Sequence, residues 1–131
     1  MMLHEERTFQ LLITDDSASF RQIVREILED RPYLCLHEAE SGEEALDVVH
    51  ERRIDIVLLD MHMHILTGLD TLRQLKQLDS LRPCILMTSD TSDVLRRDAQ
   101  DADAFSVLRK PVPAQQLVET VSTALLTAYS A

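Results

Sequence analysis

Asp60 ends the apolar run Ile54-Asp55-Ile56-Val57-Leu58-Leu59, and Asp15 and Asp16 follow the earlier run Leu11-Leu12-Ile13 in the same way. Short apolar runs of this kind read as buried strands, and open α/β sheets bind their ligands at the carboxyl ends of such strands. If the two strands lie side by side, three carboxylates converge on one spot. Two unit charges 4 Å apart at an effective dielectric of 20 interact by about 4 kcal/mol, so such a cluster favours raised pKa values or a bound cation. The chemistry expected is therefore a hard-cation site beside a phosphate acceptor.

The rest of the chain must supply the elements that hold those acids in place. Thr8 to Thr14 reads as a strand. Ser17 or Ser19 then caps a helix whose apolar stripe is Phe20, Ile23, Val24, Ile27 and Leu28, and Pro32 marks its end. Tyr33 to Ala39 is a second strand. Ser41-Gly42-Glu43-Glu44 opens a second helix, with acids in its first turn. After the Ile54–Asp60 strand comes a loop from Met61 to Gly68, then a helix bearing Leu69, Leu72, Leu75 and Leu78. Pro83 precedes a strand over Cys84–Thr88. Thr91 to Ala102 forms a helix with a thin apolar face, Ala104–Leu108 forms the last strand, and Lys110-Pro111 leads into a helix with Leu117, Val121, Ala124 and Leu125. Five strands alternating with five helices predict an α/β fold with a parallel sheet covered on both faces. Right-handed crossovers and the flavodoxin-like strand order 2-1-3-4-5 would set the first and third strands side by side, which is the adjacency the acids require.

Composition excludes several classes. At 131 residues the chain suits one domain, with a core expected over about residues 8–127. An apolar content of 45% and a charged content of 27% are ordinary globular values. A net charge of −10 with no basic run argues against direct nucleic acid binding or an anionic membrane as partner. No apolar stretch is long enough to span a bilayer, and the opening Met1-Met2-Leu3-His4-Glu5-Glu6-Arg7 lacks the core of a signal peptide, so a cytoplasmic protein is expected. Cys35 and Cys84 lie on strands three steps apart, roughly 14 Å, beyond disulfide reach, and both are expected as small core hydrophobes.

The ordered set Asp15-Asp16, Asp60, Gly68, Thr88-Ser89 and Lys110-Pro111 resembles the receiver domain of two-component response regulators over nearly the whole chain. The resemblance implies a phosphoacceptor at Asp60 and a Mg²⁺ site. A site of few carboxylates plus water and phosphate oxygens suits that ion. Asp15 and Asp16 would hold the metal with Asp60, one of them through a water, and the backbone carbonyl of His62 would be a further ligand. Lys110 would pair with Asp60 before phosphorylation and with a phosphoryl oxygen afterwards. Thr88 would offer its hydroxyl to another oxygen, small Ser89 would leave room for the group, and the Lys110-Pro111 bond would be cis. Implied partners are a histidine kinase or phosphotransfer protein and a downstream protein target or an output domain. A homodimer through the face of the fourth helix, last strand and last helix is also possible.

The chain departs from the family pattern at four places. Val107 stands where the family usually has an aromatic switch residue, and Phe105 shares its strand face by alternation, either as a partial substitute or as ordinary packing. His64 replaces a frequent proline. Asp103 replaces a common glycine, which an aspartate tolerates in a left-handed conformation. His62 and Asp90 flank the expected phosphoryl group and are candidate tuning residues for hydrolysis. A zinc site at His62 and His64 lacks the further ligands it would need. An aspartyl phosphatase would commonly want an acid where His62 stands, and two glycines do not make a nucleotide cradle. The expected chain is thus a signalling phosphoacceptor with only self-phosphorylation and autodephosphorylation, not a true enzyme. The alternative is a pseudo-receiver that docks partners independently of phosphorylation. Past the last helix, Thr127 to Ala131 are too few for an output module, which fits a stand-alone receiver or one cut from a longer protein.

Overall fold

A computed structural model of the chain describes residues 7–90 and 92–130. Five strands and five helices alternate: β1 (Phe9–Thr14), α1 (Ala18–Leu28), β2 (Leu34–Ala39), α2 (Gly42–Glu51), β3 (Ile56–Asp60), α3 (Gly68–Leu78), β4 (Cys84–Thr88), α4 (Asp93–Asp101), β5 (Ser106–Arg109) and α5 (Ala114–Tyr129). The strands form one parallel sheet in the order β2-β1-β3-β4-β5, the flavodoxin-like arrangement that the pattern predicts.

Period-two alternation divides the core between the two faces of the sheet. Phe9, Leu11 and Ile13 of β1, Ile56 and Leu58 of β3, and Ile85 and Met87 of β4 pack with Val24 and Leu28 of α1 and Leu117, Val121 and Leu125 of α5. The intervening residues Leu12, Val57, Leu59, Cys84 and Leu86 pack on the opposite face with Leu69, Leu72 and Leu75 of α3 and Ala99 of α4. Central strands β3 and β4 are buried at every position, as a strand covered on both sides must be.

Four helices start on a hydroxyl cap. Ser17, rather than Ser19, caps α1 by accepting from the Phe20 amide, and Ser41, Thr67 and Ser92 do the same for α2, α3 and α4. Several expectations are corrected. Ile54 and Asp55 precede β3 rather than opening it, because the Asp55 amide donates to Gln10 outside the β1–β3 ladder. Ile23 is exposed, since α1 turns only Val24 and Leu28 fully into the core, and Leu78 is exposed at the end of α3. Cys84 is buried, and burial pushes its thiol up to about 11. Cys35 is exposed instead, on edge strand β2, where only Ala39 is fully covered. Both cysteines are free. Thr91, expected at the head of the fourth helix, lies outside the described residues, as do residues 1–6 and Ala131. Among the described residues no helix is long and apolar enough to cross a membrane.

Candidate metal and phosphoacceptor site

The site forms where β1 and β3 end together. Their register pairs Thr14 with Leu59, so Asp15 and Asp60 are the next residues of adjacent strands. Alternation then sets their side. Asp15 follows Leu11 and Ile13, Asp60 follows Ile56 and Leu58, and Lys110 follows Leu108, all members of the core facing α1 and α5. Asp15 and Asp60 are almost fully buried, at 1% and 5% exposure, while Asp16 is exposed. One carboxylate oxygen from each of the three lies within 4.8 Å of the others.

Lys110 Nζ donates to Asp15 Oδ2 and to Asp60 Oδ1, each at 2.9 Å. Its amide donates to the Thr88 carbonyl, which seats it beyond the β4–β5 ladder, and its bond to Pro111 is cis. Burial by itself would lower the ammonium pKa, but the hydrogen bonds it donates to the two carboxylates, with their charges, outweigh burial and the pKa is raised. Asp15 also has a raised pKa. Burial is the main cause and the Asp60 charge adds to it, against lowering by Lys110 and by the Ser17 amide that donates to Asp15 Oδ1 at 2.8 Å. One ammonium thus leaves negative charge uncompensated. The donor set is all oxygen, with neither nitrogen nor sulfur, which fits a hard divalent cation such as Mg²⁺.

Two features of the site escaped the sequence. Arg21 donates to the Asp15 carbonyl at 2.5 Å while its Nε holds Glu38 of β2 at 2.9 Å, and Arg25 holds the second Glu38 oxygen. Although burial opposes it, the two guanidinium groups lower the Glu38 pKa. This clamp ties α1, β2 and the loop bearing the acids together. Phe20 places its ring under the Lys110 ammonium, with Nζ 3.9 Å from the centroid. Its apolar stripe position signalled only packing; the contact with Lys110 joins chain segments that no local pattern relates.

Thr88 lies one residue past Met87 and alternates to the other face of the sheet with Cys84 and Leu86. Its hydroxyl accepts from the Asp90 amide at 2.9 Å. The Asp90 carboxylate accepts from the Ser92 amide at 2.9 Å, a bond within the loop before α4. Ser89 is exposed at that entrance, and His62 and His64 are exposed in the β3–α3 loop. Among the described residues, Asp15, Asp16 and Asp60 form the one group of three or more potential metal ligands, and it contains no histidine. Val107 and Phe105 both line a pocket of about 220 Å³ with Arg96 and Gln100 of α4. Phe105 itself precedes β5 and is partly exposed.

Gly68 is required at its position by close approach to the Asp60 backbone. A Cβ there would meet the Asp60 carbonyl oxygen and would stand 2.9 Å from the Asp60 carbonyl carbon. The Gly68 amide donates to Met61 and closes the loop. Asp103 has a left-handed φ of 67°, as its glycine-like place predicts. Ile65 shares that φ, which the sequence did not signal, since a β-branched residue is disfavoured there.

Residues 11–122 match the family model described as the response regulator receiver domain. The chain is 32% identical to the sensory/regulatory protein RpfC of Xanthomonas campestris over 122 residues, covering 88% of this chain but only 16% of RpfC. It is 28% identical to the chemotaxis protein CheY of Bacillus subtilis over 116 residues, covering 88% of this chain and 97% of that protein. The solved structure of Vibrio cholerae CheY4 superposes with a TM-score of 0.84 at 28% identity, over 90% of this chain and 99% of that one. With its sheet order, its strand-end acids and this match over most of its length, the chain belongs to the response regulator receiver domain family.

Proposed function

We propose that Asp60 is the phosphoacceptor of this receiver, taking a phosphoryl group from a histidine kinase or phosphotransfer protein. One Asp60 carboxylate oxygen attacks phosphorus, and the P–N bond of a phosphohistidine, or the P–O bond of an acyl phosphate, breaks with its electrons leaving on the donor. Asp15 and Asp16, with Asp60 and the backbone carbonyl of His62, would hold Mg²⁺. When bound, that ion supplies positive charge opposite the phosphoryl oxygens. Lys110 exchanges its contact with Asp60 for one with a phosphoryl oxygen, and Thr88 offers its hydroxyl to another. Small Ser89 leaves the entrance open. The observation that carries this reading is the Lys110 ammonium, shared between Asp15 and Asp60 at 2.9 Å on each side within a three-carboxylate cluster.

The phosphoryl group would be read on the other face of the sheet. Drawing the Thr88 hydroxyl toward Asp60 breaks its bond to the Asp90 amide and so bears on the loop before α4. Val107 and Phe105 beside α4 would transmit the shift to the surface of α4, β5 and α5, which would bind a downstream protein, an output domain or a second copy of the chain. The domain would occupy the whole chain, with no catalysis beyond its own phosphorylation and dephosphorylation.

Incubation with an acyl phosphate and Mg²⁺, followed by intact mass measurement, tests the reading. A single phosphoryl adduct is expected on the wild type and none on Asp60→Asn. No adduct from any small donor or kinase would instead favour a module that docks partners independently of phosphorylation, the reading that Val107 at the usual aromatic position would suit.

A further inference from the structure

We propose that Phe20 is a positioning residue for phosphoryl transfer, its ring face holding the Lys110 ammonium in line with Asp60. The inference rests on the phosphoacceptor role of Asp60, and it assigns to α1 a part in the chemistry as well as in packing. Lys110 Nζ lies 3.9 Å from the Phe20 ring centroid, well inside the range of cation–π attraction, while two of its protons reach Asp15 and Asp60. The lysine side chain is 20% exposed and the site opens to solvent at Asp16 and Ser89, so the ammonium has an outward path. Phe20 is partly buried against the α1/α5 core, and its amide is bound by Ser17, which anchors its backbone at the first turn of α1. The ring is therefore a wall on one side of the ammonium.

The physical role follows from what changes during transfer. When a phosphoryl group arrives, Lys110 must give up its bond to Asp60 and take one to a phosphoryl oxygen. An ammonium held only by carboxylates would be free to swing as those bonds exchange. The aromatic face does not take part in the exchange, so its attraction counts most while the bond to Asp60 is broken and the bond to the phosphoryl oxygen is not yet made. Holding the charge at its point of use lowers the cost of reaching the reactive arrangement. A leucine at this position would fill much of the same space and supply no such face.

The chain contains only two lysines, Lys76 and Lys110, so lysine-selective ¹³C labelling reports on Lys110 almost alone. In metal-free protein the Lys110 methylene protons beside the ammonium should be shifted upfield by the ring, with restricted motion. A series at position 20 of phenylalanine, 3,5-difluorophenylalanine and pentafluorophenylalanine largely keeps the ring's size while draining its negative face. Across it, Lys110 motion should rise stepwise. The rate of Asp60 phosphorylation by an acyl phosphate at saturating Mg²⁺ should fall by about threefold to tenfold, as a cation–π contact of ordinary strength implies. Phe20→Tyr should stay within about twofold of wild type, and Phe20→Leu should match the pentafluoro protein. Rates and Lys110 motion that stay flat across the fluorinated series, with a deficit only in Phe20→Leu, would overturn the inference and leave Phe20 as packing. Should the wild type accept no phosphoryl group, the phosphoacceptor reading fails by itself. The Lys110 motion series still decides whether the ring holds the ammonium.

Discussion

At Asp15 burial and the neighbouring Asp60 charge oppose the Lys110 ammonium and the Ser17 amide, and the balance leaves the carboxyl harder to ionise than a free aspartate. A raised acid pKa means that the folded chain binds this proton more tightly than the unfolded chain. The stability it contributes is fully present below the unfolded value of 3.8 and is lost as pH rises through the raised folded value. Ionising Asp15 is thus a stability cost in the folded chain. Asp15→Asn, which keeps an acceptor for Lys110, should unfold at higher urea than wild type at pH 7, with the advantage shrinking as pH falls toward 4. Urea titrations at a series of pH values check this, and an advantage that grows on acidification would contradict it. The three acids were legible in the sequence because each stands just past an apolar run, whereas Lys110 was singled out only by its place in the ordered set that resembles a receiver domain. The second role of Phe20 was not, because its stripe position is satisfied equally well by simple packing.

Element boundaries and caps carry the next level. The apolar runs located every strand to within two residues, and the cap of α1 was narrowed to two serines before geometry chose Ser17. Loop conformation was read less well. Asp103 takes the left-handed backbone that its position predicts, yet Ile65 takes it too, with its side chain almost fully exposed. Nothing in a single sequence reveals that a β-branched residue must bend this way to let the chain return from His64 to α3. Gly68 closes the same loop against the Asp60 backbone, so a methyl group there has no direction in which to yield. Gly68→Ala should cost about 1–3 kcal/mol of stability, the usual range for overpacking, and should slow phosphorylation by displacing Asp60. Denaturant unfolding and intact mass kinetics together check this. Full stability in the variant would mean that α3 shifts more easily than its contacts indicate.

Across the whole molecule, the two faces of the sheet separate the acids and their lysine from Thr88. Asp15, Asp60 and Lys110 continue the core shared with α1 and α5, while Thr88 continues the core shared with α3 and α4. A cation bound only by the folded chain must stabilise it, by about 2.7 kcal/mol at a concentration one hundred times its dissociation constant. Thermal unfolding with increasing Mg²⁺ should therefore show a rising midpoint for wild type and a much smaller rise for Asp16→Ala. Asp16 is exposed, so removing its carboxylate disturbs little else. Equal shifts in both proteins would remove Asp16 from the ligand set. The sequence by itself determined which segments are strands and that the acids stand at strand ends, because hydrophobic period is a local property; the order 2-1-3-4-5 was expected because it gives the adjacency those acids require. Only the tertiary structure decided that Asp90 accepts a bond within its own loop, that Cys35 is exposed, that Arg21 clamps the Asp15 carbonyl and that Phe20 lies under Lys110. Those outcomes depend on side-chain direction and on contacts between distant segments, which no periodicity along the chain encodes.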